Sequence, residues 1–215
     1  MKIEYLGHSC FLLQAKSGAR FLTDPYDGIG YPMPRADAEC VLCTHGHFDH
    51  HNLAGVRGVR EVIEKSGSYE RGGVSICAVD CFHDDVRGAK RGKNVVFILE
   101  EGGVRVCHMG DIGELPRRDL IAAIGRVDVL LVPVGGTYTV DAEGALAWAE
   151  ALRPLVTVPM HYCCEDCSLD IAPLRAFVQA AGEARCVFLP SASFDASEVP
   201  AWAGKAVIPQ RAKHV

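Results

Sequence analysis

No run of about eighteen apolar residues occurs in the chain, which leaves no candidate membrane helix. The opening segment, Met1 to Leu13, lacks a basic start followed by a long apolar stretch and contains Glu4 and His8. It does not read as a secretory signal, so the expected compartment is the cytoplasm. Excess positive charge is also missing. A formal net charge of −5 argues against a general nucleic-acid coat protein, although a local basic cluster can still serve an anionic substrate. Repeats, low-complexity linkers and composition breaks are absent too. The 215 residues therefore read as one domain, 1–215, and a hydrophobic content of 49% suits a sizeable core.

Cysteine is plentiful, at ten residues. Disulfide-dense domains are typically short and secreted, which this chain is not. Cys40, Cys43, Cys77, Cys107 and Cys186 sit in apolar, strand-like stretches and read as reduced, buried, small hydrophobes. Cys164-x-x-Cys167, beside Cys163, lacks the second pair that structural zinc sites use. It also lacks a thioredoxin-like setting. These three read as loop thiols, with a redox or third-metal role as the alternatives.

Short apolar runs between turn signals predict strands at Met1–Tyr5, Cys10–Gln14, Phe21–Thr23, Cys40–Cys43, Ser75–Val79, Val95–Glu100, Val104–His108, Val129–Val132, Leu155–Val158 and Cys186–Leu189. Glu101-Gly102-Gly103 predicts a hairpin turn. Asp141 is placed to cap a helix over Ala142–Leu152, and Asp170 one over Ile171–Ala181; Arg117–Ile124 is a shorter candidate. Val199 to Val215 shows no strong pattern and reads as packing or a loose end. Strands first and alternation later predict sheets covered by helices.

The most informative segment is Thr44-His45-Gly46-His47-Phe48-Asp49-His50-His51, which leaves the Cys40–Cys43 strand. In extended chain His45 and His47 point the same way. If the chain then turns helical, Asp49 and His50 face a different direction, and one loop serves two metal ions. Imidazole suits zinc and iron, and a carboxylate compensates charge. Two ions need further ligands. His83, Asp111 and His161 each follow a candidate strand within a few residues. His51 reads as support or surface.

At these residues the sequence resembles the metallo-β-lactamase-fold superfamily, with its His-x-His-x-Asp-His signature after a strand. Gly7-His8-Ser9-Cys10-Phe11 and Thr23-Asp24-Pro25-Tyr26 resemble the opening of a small bacterial branch of metal-dependent hydrolases, itself similar to ascorbate-6-phosphate lactonase-like proteins. Phe82-His83-Asp84-Asp85, His108-Met109-Gly110-Asp111, Val132-Pro133-Val134-Gly135-Gly136 and Pro159-Met160-His161-Tyr162 resemble its later motifs, in order. The resemblance implies an α/β (α+β) fold, a four-layer αββα sandwich of two mixed sheets flanked by helices. It implies His45, His47 and His83 on a first metal, Asp49, His50 and His161 on a second, and Asp111 between them. Some members carry histidine where Glu114 stands, a difference that bears on substrate choice if that position lines the pocket.

Two divalent cations, zinc first with manganese or iron as alternatives, would activate a hydroxide for attack on carbon or phosphorus. Asp49 and Asp111 are then the catalytic carboxylates. His8 either supports a ligand, contacts substrate or is a hydrogen-bonded turn histidine. Asp24 reads, by resemblance, as a carboxylate bracing the metal loop, with an Asp-Pro turn as the alternative. Asp84 is placed to accept from a ligand imidazole, while Asp85 reads as surface. Arg87, Lys90, Arg91 and Lys93 form a basic run, either a solvated loop or an attractor for an anionic substrate, with Arg91 the residue to test. Tyr138 either lines the pocket or packs its loop.

Three functions compete. The first is hydrolysis of a small, anionic lactone, phosphodiester or similar ester. The second is a nuclease on RNA or DNA, disfavoured by the net charge. The third is a non-hydrolytic metal-binding or iron redox protein, and a flavin-dependent version has no room for its flavin domain. The expected partner is a small-molecule substrate, without nucleic acid or membrane; fold alone does not choose between these functions.

Overall fold

Successive side chains of a strand leave on opposite faces, so a strand that is apolar throughout needs cover on both. The computed structural model, which describes residues 1–213, meets that need with two stacked sheets. The first half supplies β1 (Lys2–Gly7), β2 (Cys10–Gln14), β3 (Arg20–Thr23), β4 (Ala36–Asp37), β5 (Cys40–Leu42), β6 (Val56–Arg57) and β7 (Glu61–Ile63). Antiparallel neighbours follow: β8 (Gly67–Arg71), β9 (Val74–Phe82), β10 (Lys93–Glu101) and β11 (Val104–His108). The rest alternates: α1 (Arg118–Ile124), β12 (Val129–Pro133), α2 (Ala142–Leu152), β13 (Val156–Met160), α3 (Leu174–Ala181), β14 (Cys186–Phe188), β15 (Ser193–Asp195) and β16 (Lys205–Ile208).

The six-stranded sheet runs β15-β1-β2-β3-β5-β7 and the eight-stranded sheet β14-β16-β13-β12-β11-β10-β9-β8; both are mixed. Between them lies a core of Ile3, Phe11, Leu13, Phe21 and Leu42 from one side and Val95, Phe97, Leu99, Leu131 and Val158 from the other. The alternate residues Val96, Ile98, Leu130 and Val132 turn to the opposite face of the larger sheet and meet Leu120, Trp148, Leu152 and Phe177 of the helices. Among the described residues all three α-helices lie on this side. The outer face of the smaller sheet is covered instead by Tyr26, Ile29 and Tyr31 of a loop and by Leu53 of a 3-10 turn, Leu53–Gly55. The layering is that of an αββα sandwich, with one outer layer reduced. No helix of the described residues is long and apolar enough to cross a membrane.

Local chemistry explains several element ends. Gly102 and Gly103, both at positive φ, link β10 to β11, as a two-residue primed turn requires. Gly72-Gly73 does the same between β8 and β9. The Asp141 carboxylate accepts from Gly144 N at 2.9 Å and caps α2.

Four expectations need correction. Asp170 caps no helix: α3 begins at Leu174 with Pro173 in the N-cap position. Proline disfavours helical backbone in the residue before it, and Ala172 is held by its N–H on Gly135 O and its carbonyl on Cys163 N. Of the tail, residues 205–208 are packed rather than loose, because they form β16, which inserts between β13 and β14. The chain after His47 makes a hydrogen-bonded turn, His50 N to His47 O at 3.0 Å, rather than a helix. Cys77 and Cys186 are half-buried, not buried, although all ten cysteines are free.

Candidate metal centre

Strands of both sheets deliver polar residues to one edge of the sandwich. β1 leads to His8, β3 to Asp24, β5 to His45, β9 to His83, β11 to Asp111 and β13 to His161. The side chain of every one of these is buried, as is that of His50; His47 is exposed. His8, Asp24 and His161 all have positive φ (52°, 38° and 54°), a region that β-carbons disfavour. Surrounding bonds hold them there. His8 N donates to the Tyr31 hydroxyl at 3.1 Å, the Tyr5 hydroxyl donates to His8 O at 3.2 Å, and His161 N donates to His8 O at 2.9 Å.

The donors converge around Asp111. Its Oδ2 lies 3.2 Å from Nε2 of His50, 3.2 Å from Nε2 of His161, 3.4 Å from Nε2 of His83 and 4.0 Å from Nε2 of His45. Asp49 Oδ2 is 3.6 Å from His50 Nε2 and 3.3 Å from His8 Nε2. Possible ligand atoms of His45, His47 and His83 fall within 4.8 Å of one another, and so do those of His8, Asp49, His50 and His161. Thus the ligand candidates named from the sequence come together, in two adjoining groups.

Do these residues fit a divalent ion? Donors at about 2.1 Å around one tetrahedral ion stand roughly 3.4 Å apart, which the closer spacings match. The buried Nε2 atoms of His45, His50 and His161 and Oδ1 of Asp111 have no hydrogen-bond partner among the described residues. Leaving so many buried polar atoms unpaired is costly, and a cation would satisfy them together. The donor set fits.

Electrostatics point the same way. Burial opposes charge on His45 and the neighbouring His50 adds to it, so its pKa falls to about 3. Burial likewise lowers His8 to about 4, helped by His161. For His50, burial works against the cation, but Asp111 and Asp24 outweigh it and hold its pKa well above the ordinary value. Burial would raise the Asp111 carboxyl, yet His161 and His50 hold it well below the usual range. A buried carboxylate facing imidazoles is a ready seat for positive charge.

The outer contacts are specific. Asp24 accepts from Thr44 N and Thr44 Oγ1, both at 2.8 Å, and pairs with His50 Nδ1 at 3.0 Å. Thr44 Oγ1 also meets His45 Nδ1 at 3.0 Å. The buried Asn94 accepts from Asp111 N at 3.0 Å and donates to Met109 O at 2.9 Å. Sequence reading missed Asn94; its signal was an amide directly before the apolar run Val95–Leu99. Gly110, at φ +55°, approaches Asn94 and Thr44 so closely that a β-carbon would stand 2.4 Å from Asn94 Oδ1.

Asp84 does not accept from an imidazole. Its carboxylate takes the backbone N–H groups of Val86, Gly88, Lys90 and Arg91 at 2.7–3.0 Å, folding the loop after His83. Glu114 is also engaged, accepting from Phe82 N at 3.0 Å and from Arg117 Nε at 2.8 Å. Asp84, Arg91, Gly113, Leu115 and Tyr138 line a cleft of about 570 Å³. The Arg91 guanidinium donates to Thr137 O at 2.9 Å and lies 5.6 Å from the Tyr138 ring centroid; among the described residues it pairs with no carboxylate. Lys90 pairs with Asp85. Cys164 Sγ accepts from Arg211 Nη1 at 3.1 Å, and Cys163, Cys164 and Cys167 join no group of metal donors among the described residues.

A family model described as the beta-lactamase superfamily domain matches residues 2–161. The chain belongs to the beta-lactamase superfamily. It is 31% identical to a UPF0173 metal-dependent hydrolase of Thermoplasma volcanium, over 88% of this chain and 96% of that one. A UPF0173 metal-dependent hydrolase of Carboxydothermus hydrogenoformans is 33% identical, over 75% and 84%. A crystal structure from Thermotoga maritima, described within the metallo-beta-lactamase superfamily, superposes with a TM-score of 0.78 at 34% identity, covering 97% of each chain. The chain is accordingly a metal-dependent hydrolase with the metallo-beta-lactamase fold.

Proposed function

We propose that the centre holds two divalent cations, zinc in preference to manganese or iron, and that the enzyme hydrolyses a small anionic ester, a lactone or a phosphodiester. His45, His47 and His83 would hold one ion and Asp49, His50 and His161 the other, with Asp111 serving both. The observation that carries this reading is the Asp111 carboxylate, whose Oδ2 lies 3.2 Å from Nε2 of His50 and of His161, 3.4 Å from that of His83 and 4.0 Å from that of His45. When bound, such cations supply a water-derived nucleophile near neutral pH and polarise the scissile oxygen.

The chain's own groups do the rest. Asp49 has a partly accessible carboxylate, 13% exposed, beside the buried Nε2 of His8. Burial would raise its pKa, but the His8 hydrogen bond and the His50 charge hold it below the usual range. It therefore orients the attacking water rather than storing its proton. Asp24 fixes His50 and, through Thr44, His45. Arg91 supplies a cation in the cleft for the anionic part of the substrate, and Tyr138 a flat wall beside it. No serine or cysteine nucleophile is needed.

Metal content measured before and after His45→Ala/His47→Ala, with turnover tested on lactones, phosphodiesters and single-stranded RNA, tests the reading. Loss of metal together with loss of lactone or phosphodiester turnover is expected. Full activity in metal-free double mutant would overturn it, and turnover of RNA alone would favour a nuclease.

A further inference from the structure

A second set of donors lies apart from the Asp111 cluster. Cys43, His51 and Glu64 bring a thiol, an imidazole and a carboxylate to within 4.8 Å of one another. Cys43 and Glu64 are on adjacent strand ends, because β5 and β7 are parallel neighbours and Cys43 N donates to Ile63 O at 3.0 Å. The His51 imidazole lies against the Glu64 carboxylate. The thiol is buried, while the His51 and Glu64 side chains are 33% and 48% exposed. The group therefore opens to solvent on one side.

We infer that Cys43, His51 and Glu64 form a separate zinc site that clasps the metal loop shut. The donor set is that of a borderline-soft ion with one position left to water. Charge balances: thiolate and carboxylate offset the two positive charges, and the imidazole stays neutral. Binding forms a sulfur–zinc bond and sends the thiol proton to solvent. Cys43 and His51 directly flank the stretch from Thr44 to His50 that carries His45, His47, Asp49 and His50. Joining the two ends of that stretch removes open loop conformations and ties it to β7 through Glu64.

The site is testable without reference to turnover. Cobalt(II) bound by thiolate gives a sulfur-to-metal charge-transfer band in the near ultraviolet; histidine and aspartate ligands do not. Metal-free protein carrying Cys163→Ser, Cys164→Ser and Cys167→Ser is titrated with cobalt(II). The band is expected in that background, lost with Cys43→Ser and strongly reduced with Glu64→Gln and with His51→Ala. Bound metal should fall by one equivalent per chain in each of these variants. Absence of the band, or a band that survives Cys43→Ser, overturns the site. If Cys43→Ser fails to fold, Glu64→Gln decides: it alters a half-exposed surface residue, and an unchanged band and stoichiometry in it overturn the site equally.

Discussion

Asp24 Oδ2 stands 3.0 Å from Nδ1 of His50, with both side chains fully buried. The contact fixes the ring so that Nε2 faces Asp111 at 3.2 Å. Metal-ligand histidines are held in this way by a carboxylate on the other ring nitrogen. Asp24→Asn should weaken metal affinity by about 10–100-fold, with the fold retained. Equilibrium dialysis with zinc, alongside circular dichroism, checks both halves.

The role of Asp111 predicts a larger effect. Asp111→Asn keeps the shape and removes the charge that faces four histidines. Metal affinity should drop by more than the roughly 100-fold expected for an outer contact, and turnover should follow it. Retention of full metal content would contradict the shared-ligand role.

Gly110 couples backbone to site. An added β-carbon would meet Asn94 Oδ1 at 2.4 Å and Thr44 Cβ at 2.6 Å, at a φ of +55°. Both neighbours hold site residues, so neither can yield freely. Gly110→Ala should cost about 1–3 kcal/mol of stability and lower metal content as well. Urea unfolding with metal analysis measures the two together.

In Arg91→Glu the cleft gains a negative charge where Arg91 now lies beside Tyr138. For an anionic substrate KM should rise by about tenfold or more, near 1.4 kcal/mol, with kcat changed far less. A neutral ester should be indifferent to the change. An unaltered KM for the anion would remove Arg91 from substrate binding.

Asp84 gives a pH dependence. Burial would raise its carboxyl, but backbone N–H groups of Arg91, Gly88, Lys90 and Val86 lower it to about 2. The folded pKa thus lies below the unfolded value of about 3.9. The loop's stabilisation is full above about pH 4 and is lost as pH falls through about 2. Asp84→Asn should remove that acid-dependent component, so the slope of stability against pH between those values becomes shallower. Denaturant titrations across the range read it directly.

Which of these features could be read from the sequence depended on how local their causes are. His45, His47, Asp49 and His50 share one short loop, and His83, Asp111 and His161 each follow an apolar run, so their convergence was legible before any coordinates. The Asp141 cap and the Gly102-Gly103 hairpin were legible for the same reason. What escaped was set by distant partners. β16 exists because β13 and β14 leave a place between them, and Ala172 is non-helical because Gly135 and Cys163 hold its backbone. Asn94 matters through Asp111, a residue far along the chain. Asp84 looked like an imidazole acceptor from its place beside His83, yet four backbone donors of its own loop satisfy it.

The most direct measurement is anomalous diffraction at the zinc edge from crystals of the zinc-loaded protein. Two peaks flanking the Asp111 carboxylate, one against His45, His47 and His83 and the other against Asp49, His50 and His161, are the predicted result, apart from the peak expected at Cys43, His51 and Glu64. Fewer than two peaks beside the Asp111 carboxylate would contradict the dinuclear centre.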